Sequence, residues 1–233
     1  MKIVLIHGQN HKGSTYHISR ILINSIHNDK DIAEFFLPND LPHFCTGCYT
    51  CIKDESKCPY FYEKNAIMQK IENADLLIFT TPTYCMAPSA PMKNFMDLSF
   101  TYWMPHKPRK CMFTKRAVVI STAAGAGTKH ATRPIAHMLS YWGISNVIKY
   151  GICVQAMSWN DVSSVKKEKI TKDMKKLGHT LSNKKLPHVS IKTKFLFTIM
   201  AAMHKNNMGS GIEEKQYWQK AGWLGKERPW KNK

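Results

Sequence analysis

The feature that most constrains this chain is a regular alternation of short apolar runs with amphipathic segments. Lys2–Ile6 reads as a buried strand, and Ser14–His27 follows with apolar residues at Ile18, Ile21, Leu22 and Ile26, a helical spacing. Asp31–Leu37 reads as a second strand closed by Pro38, and Phe61–Asn73 as a helix. Leu76–Thr80, Ala117–Ser121 and Val147–Val154 supply three further strands. Helices are expected near Ser89–Trp103, Lys129–Trp142 and Ser163–Ser182. Strands linked in this way imply an α/β fold, a parallel sheet covered on both faces with right-handed crossovers. The expected order of the five strands is 2-1-3-4-5. In such a sheet a ligand sits beyond the carboxyl ends of the strands, where strands one and three diverge. The loops after strands one, three and four are therefore expected to carry the function.

The bulk numbers fit one such domain. The 233 residues are 43% apolar, enough for a sizeable core. Residues 1–183 are expected to form the domain, and 184–233 an extension that packs on it or on a partner subunit. No apolar stretch approaches the roughly 20 residues that span a bilayer, so no transmembrane segment is expected. The net charge of +18 attracts anions, with much of it between Lys166 and Lys194. No helix-turn-helix, finger or RNA-binding motif accompanies it, so no specific nucleic-acid partner is expected. No secretion signal is visible, and four of the seven cysteines crowd into residues 45–58. That crowding reads as metal or redox chemistry in a reducing cytoplasm rather than a disulfide framework.

The loop after the first strand is HGQNHKGST, His7–Thr15. Gly8 and Gly13 permit close backbone approach, Ser14 and Thr15 are candidate caps of the next helix, and His11 and Lys12 add positive charge. A helix start of this kind favours a phosphate, although the loop is neither a Walker loop nor a G-x-G-x-x-G turn. After the third strand comes PTYCMAPSAPMKNFMD, Pro82–Asp97, with Tyr84 offering a flat aromatic face and Ser89 a candidate cap. Lys93 and Asp97, four apart, read as an ordinary ion pair. After the fourth strand, Ser121–Gly127 is a run of small residues that can pass close to a flat ring.

The Pro82–Asp97 segment resembles the Pro-x-Tyr … Ser-x-x-x-Lys-x-Phe-x-Asp stretch of the NAD(P)H-dependent FMN reductases, which are flavodoxin-like. The loop His7–Thr15 is similar to that family's phosphate loop. Gln9 stands where the family usually has Ser, His11 where it often has Arg, and Ser14 where it usually has Asn. The resemblance covers roughly residues 2–180. It implies a three-layer α/β/α fold that binds FMN and takes electrons from NAD(P)H for a small-molecule acceptor. It implies that Gln9, His11, Gly13, Ser14 and Thr15 hold the phosphate. It implies that Pro82, Thr83, Tyr84 and Cys85 line the ring, with Ala123, Ala124 and Gly125 opposite or beside it. It also implies a homo-oligomer, dimer or tetramer, with a partner subunit bordering the flavin. The flavin carries the chemistry, so no catalytic side chain is named.

Cys45-x-x-Cys48-x-x-Cys51 followed by Cys58-Pro59 has the spacing of metal ligands. Thiolates this close suit a 4Fe–4S cluster or a tetrahedral zinc; free or redox-active thiols are the alternative. The run resembles the cluster loop of iron–sulfur flavoproteins, with a longer gap before the fourth cysteine. It is expected on one loop after strand two, near the flavin end of the sheet. An electron carrier joining a cluster to FMN, without a nicotinamide site, is therefore the alternative function. A regulatory flavin- or metal-binding protein without turnover is a third reading. Cys85, Cys111 and Cys153 are expected to be buried packing residues. In the extension, Phe195–Met203 is apolar, Glu213–Lys220 reads as a short helix stopped by Gly222, and Tyr217, Trp218, Trp223 and Trp230 suit a lid over the core or a subunit contact, with a wall of the substrate pocket and a basic amphipathic surface for anionic membrane as the alternatives.

Overall fold

The structure, a computed structural model, describes residues 1–183, 187–208 and 211–231. The parallel sheet is built from β1 (Lys2–His7), β2 (Asp31–Phe36), β3 (Leu76–Tyr84), β5 (Arg116–Ala123) and β6 (Asn146–Cys153). Their order, β2-β1-β3-β5-β6, is the expected 2-1-3-4-5 arrangement. A two-residue strand, β4 (Ala87–Pro88), adds antiparallel to the end of β3 and had no clear period in the sequence.

Alternation along the central strands builds two cores. Ile3, Leu5, Leu76, Ile78, Val118 and Ile120 point to one face, packed by α1 (Ser14–Asn24) and α7 (Ser164–Ser182). Val4, Ile6, Leu77, Phe79, Ala117 and Val119 point to the other, packed by α4 (Phe61–Asn73), α5 (Ala90–Leu98) and α6 (Thr128–Tyr141). A strand in the middle of a parallel sheet must be apolar on both faces, which is why these runs are continuous. Each fully buried Leu, Ile or Phe contributes roughly 1.5–3 kcal/mol.

Short pieces fill the connections: α2 (Leu37–Asp40) and α3 (Thr50–Lys53) precede α4, and two 3-10 turns, Phe100–Tyr102 and Lys110–Thr114, follow α5. The helix expected over Ser89–Trp103 stops at Leu98 because the Ser99 hydroxyl donates to the carbonyls of Phe95 and Met96, competing with the helical ladder. The extension contains α8 (Ile191–Lys205) and α9 (Ile212–Lys220), which Gly222 ends with a φ of +71°. The junction expected at residue 184 lies outside the described residues. Phe197, Trp218 and Trp223 close over Met104 and Phe113 as a third apolar cluster, with Trp230 at its edge. Two hydrogen bonds fix it: Trp218 Nε1 donates to His106 O and the Tyr217 hydroxyl to Pro108 O.

Candidate functional site

Three loops meet at the carboxyl ends of β1, β3 and β5, as the sheet order requires. Gly8 N donates to Thr80 O at 2.8 Å, and the Ser89 hydroxyl donates to Gly8 O at 2.8 Å. A Cβ on Gly8 would lie 2.5 Å from Ser89 Oγ and 3.2 Å from Thr80 O, so this turn admits only glycine without movement. Ser89 stands at the N-cap of α5, as expected. It makes no capping bond, and instead ties the first loop to the third.

At the end of β1, His7 is buried and held from two sides. Its Nε2 lies 2.9 Å from Glu34 Oε1 and its Nδ1 2.8 Å from Thr80 Oγ1. A neutral ring that donates to the carboxylate and accepts from the hydroxyl satisfies both contacts. Burial pulls His7 below its ordinary pKa and outweighs the opposing pull of Glu34.

The start of α1 is open. Gly13, not Ser14 or Thr15, is the cap residue, and no side chain caps the helix. The first-turn N–H groups have no intrahelical partner, and the first turn carries no acidic residue. The Ser14 and Thr15 hydroxyls, both half-buried, have no hydrogen-bond partner among the described residues. His11 folds back until its ring edge would touch a Cβ on Gly13, while Lys12 sits over the Tyr16 ring. Gln9 is half-buried, and His11 and Lys12 are exposed. This donor set fits a phosphate.

Beyond β3 the chain makes a hairpin. Thr83 pairs with Pro88 and Tyr84 with Ala87, so Cys85 and Met86 form a two-residue loop. Both have positive φ, +47° and +60°, as a type I′ turn demands. Such turns favour Asn-Gly; neither Cys nor Met signals one, and the hairpin escaped the sequence reading. Cys85 is exposed, against its expected burial, because the turn points its side chain outward. Pro82 and Thr83 are half-buried, Tyr84 is 46% exposed and Met86 51%. Thr83 Oγ1 lies 2.9 Å from Ser121 Oγ, binding this loop to β5. Gly127, with φ +97°, lets the fourth-strand loop close against Thr83 and Met86. Ala123 is buried, whereas Ala124 and Gly125 are exposed, with nothing within 4 Å of a Cβ on Gly125. A fourth element, absent from the sequence reading, joins them: Trp159, after β6, stacks on His17 at 5.2 Å.

The cysteine loop is separate from this mouth. Cys45, Cys48, Cys51 and Cys58 line one cavity of about 370 Å³ with Tyr49, Tyr60 and Phe100. It opens on Asp97 and Leu98, the last turn of α5, whereas the three loops meet at its first. Cys45 is anchored on Asn94, four residues or roughly 6 Å along the helix from Ala90. The loop follows α5 because Asn94 holds it, accepting from Cys45 N and donating to the carbonyls of Leu41 and His43. Lys107 donates to Ile52 O, and Arg109 makes a two-pronged pair with Glu55 at 2.8 Å. Cys45 and Cys48 are exposed, Cys58 half-buried and Cys51 buried. No three of these sulfurs stand together as a formed metal site among the described residues. The Thr50 hydroxyl and N–H hold the Cys48 thiol below its usual pKa, whereas burial raises Cys51 against the pull of the Lys64 charge. Lys64 is 2% exposed, and its Nζ has no hydrogen-bond partner among the described residues.

Residues 1–154 match the family described as NADPH-dependent FMN reductase. An iron–sulfur flavoprotein of Methanocaldococcus jannaschii is 34% identical over 101 residues, 42% of this chain and 52% of that protein. One of Archaeoglobus fulgidus is 27% identical over 103 residues, 44% of each. The chain thus spans about half the length of the curated relatives it matches. Among solved structures, an FMN-dependent NADH-azoreductase of Bacillus anthracis in complex with FMN aligns with a TM-score of 0.61. That alignment has 13% identity and covers 78% of this chain and all of that one. An apo NADH:FMN oxidoreductase aligns at 0.56 with 16% identity, covering 77% of this chain and 89% of the other. These likenesses show a shared fold.

Proposed function

The chain belongs to the NADPH-dependent FMN reductase family, and from that premise we propose that it passes electrons from a nicotinamide through FMN to a small acceptor. The observation that carries this reading is the uncapped start of α1, with the free Ser14 and Thr15 hydroxyls, beside two loops that leave an apolar ledge. Ser14, Thr15 and Gly13 would hold the phosphate, with Gln9 and His11 at its side. Pro82, Thr83, Tyr84 and Cys85 would support one edge of the ring, and Ala123, Ala124 and Gly125 the other. Bound there, FMN supplies two-electron exchange with a nicotinamide and then with an acceptor. The protein's part is binding and orientation, and the exposed Tyr84 and Met86 leave a face for a partner subunit or substrate. Steady-state oxidation of NADH or NADPH by the FMN-loaded protein tests this, with parallel double-reciprocal lines expected. Bound FMN that neither nicotinamide reduces would sink it and favour an electron carrier.

A second reading has its own observation. A buried ammonium without a partner is costly unless an anion sits nearby. Lys64 is such a group, and its charge reaches Cys51. A thiolate-bound centre in the cysteine cavity, 4Fe–4S or zinc, would supply the anion. The donor set fits, once the exposed Cys45 and Cys48 turn inward. Iron, sulfide and zinc analysis of anaerobically purified protein decides it, with Lys64→Met expected to lower metal content.

A further inference from the structure

The outer face of α8 has no partner among the described residues. Its inner face is built into the third core through Phe197, Leu196, Met200 and Ala201. Ile191, Phe195 and Ile199, spaced four apart and so stacked along one side, are 86%, 66% and 38% exposed. Met208 and Ile212, 60% and 74% exposed, lie in sequence just beyond its end. A helix apolar on both sides is usually buried on both.

Along α8 the charge is one-sided, and the first acidic residues after it are Glu213 and Glu214 at the start of α9. From residue 174 through 212 the sequence has seven lysines and no aspartate or glutamate. On α8 itself, Lys192, Lys194 and Lys205 are exposed, and none has a carboxylate partner among the described residues. Lys93 and Lys169 are the only lysines of the described residues with a carboxylate partner, Asp97 and Asp173, so what marks this face is the joining of lysines to an exposed apolar row. At 100° per residue, Lys194 and Lys205 fall on one flank of the apolar row and Lys192 on the other. A convex helix with apolar side chains outward and lysines on both flanks suits the boundary between headgroups and acyl chains. A second copy would set like charges against each other. No helix of the described residues is long and apolar enough to cross a membrane, so contact would be with one leaflet.

We propose that the outer face of α8 is a docking surface for an anionic lipid bilayer. The position of α8 gives this a consequence. It packs on Phe113 and Ser145, just before β5 and β6, at the end of the sheet opposite the three loops. Docking there leaves the proposed flavin mouth turned toward water, open to soluble donor and acceptor.

The test is co-sedimentation of the full, FMN-loaded chain with vesicles of phosphatidylcholine alone or with about one third phosphatidylserine. The chain is expected to pellet with the anionic vesicles only, and less as salt rises past about 0.15 M. Phe195→Ser with Ile199→Ser is expected to abolish pelleting at unchanged FMN content. Replacing Lys192 and Lys194 by Gln should weaken it about fivefold per lysine. Absence of pelleting with either vesicle overturns the proposal, and so does equal pelleting with both. A dimer that the Phe195→Ser, Ile199→Ser chain loses, without vesicle binding by the parent, would make the face a contact between copies. Tighter retention on polyglutamate than on vesicles would make the partner an acidic polypeptide.

Discussion

The mouth formed by the three sheet-end loops meets the start of α5, the cysteine loop is held from its middle by Asn94, and the two are built by different means. The mouth is held by backbone pairing, Gly8 N on Thr80 O and the β3–β4 hairpin, with short local hydroxyl bonds from Ser89 to Gly8 O and between Thr83 and Ser121. Its ladder continues the sheet, so its shape follows from strand order. The cysteine loop is held by side chains reaching in from elsewhere, Asn94, Lys107 and Arg109, and it carries left-handed turns at Gly47 and Tyr49. Its shape follows from a few long contacts, and two of its four sulfurs face solvent. The difference teaches that a preformed cradle and a loop able to rearrange around an incoming group are both available within one domain.

The comparison breaks most easily at Gly8. Gly8→Val drives a side chain into Ser89 and the Thr80 carbonyl. It should cost roughly 1–3 kcal/mol and remove FMN binding, while thiol reactivity of Cys45 and Cys48 stays unchanged. Urea unfolding, flavin fluorescence and thiol titration read the three effects. The reverse cut is Arg109→Met, which frees Glu55 and Glu72. These groups are mostly buried, and a loss of roughly 2 kcal/mol is expected. Proteolysis within 45–58 should quicken, with FMN affinity kept within about twofold.

A pH series sharpens the contrast further. His7 at the mouth and His204 under the extension both lie below the ordinary histidine pKa, burial being the main cause. For each, the unfolded chain takes up a proton more readily than the folded one. Their contribution is therefore complete above about 6.5 and is lost as pH falls toward the lower folded values. Stability measured by urea should drop between pH 7 and 5, and His204→Leu should flatten part of that drop. A slope unchanged by this substitution would remove His204 from the account. The smallest effect is expected at the hairpin. Cys85→Gly relieves a left-handed non-glycine residue, worth about 1 kcal/mol of added stability. A loss of stability would mean the turn is held by contacts of the Cys85 side chain.

Much of this was legible in the sequence because it rests on periodicity. Runs such as Leu76–Phe79 and Ala117–Ile120 are apolar at every position, so the five parallel strands and their order followed, and with them the loops proposed to carry the site. The loop proposed to hold the phosphate was legible as a loop but not in its details. Ser14 and Thr15 look like caps, yet Gly13 takes the cap position of α1; Ser89 does stand at the cap of α5, with its hydroxyl turned to Gly8. The Cys85-Met86 turn carried no glycine signal. Cysteine spacing told of one loop, and the four sulfurs do share a cavity. Its position along α5 depends on Asn94, some fifty residues away, and no local pattern encodes that reach. Lys64 and Arg109 were equally silent, since a charged residue in a polar segment reads as solvated until its surroundings are seen.

The central claim is that the loops after β1, β3 and β5 bind FMN. It is tested most directly by titrating flavin-free protein with FMN and following flavin fluorescence, beside the chain with Ser14→Ala and Thr15→Ala. The account predicts a saturable change at one FMN per chain, with affinity at least tenfold weaker in the double variant, the loss of two hydrogen bonds to a charged phosphate. Fluorescence that never changes with excess FMN, or equal affinity in both proteins, would contradict it.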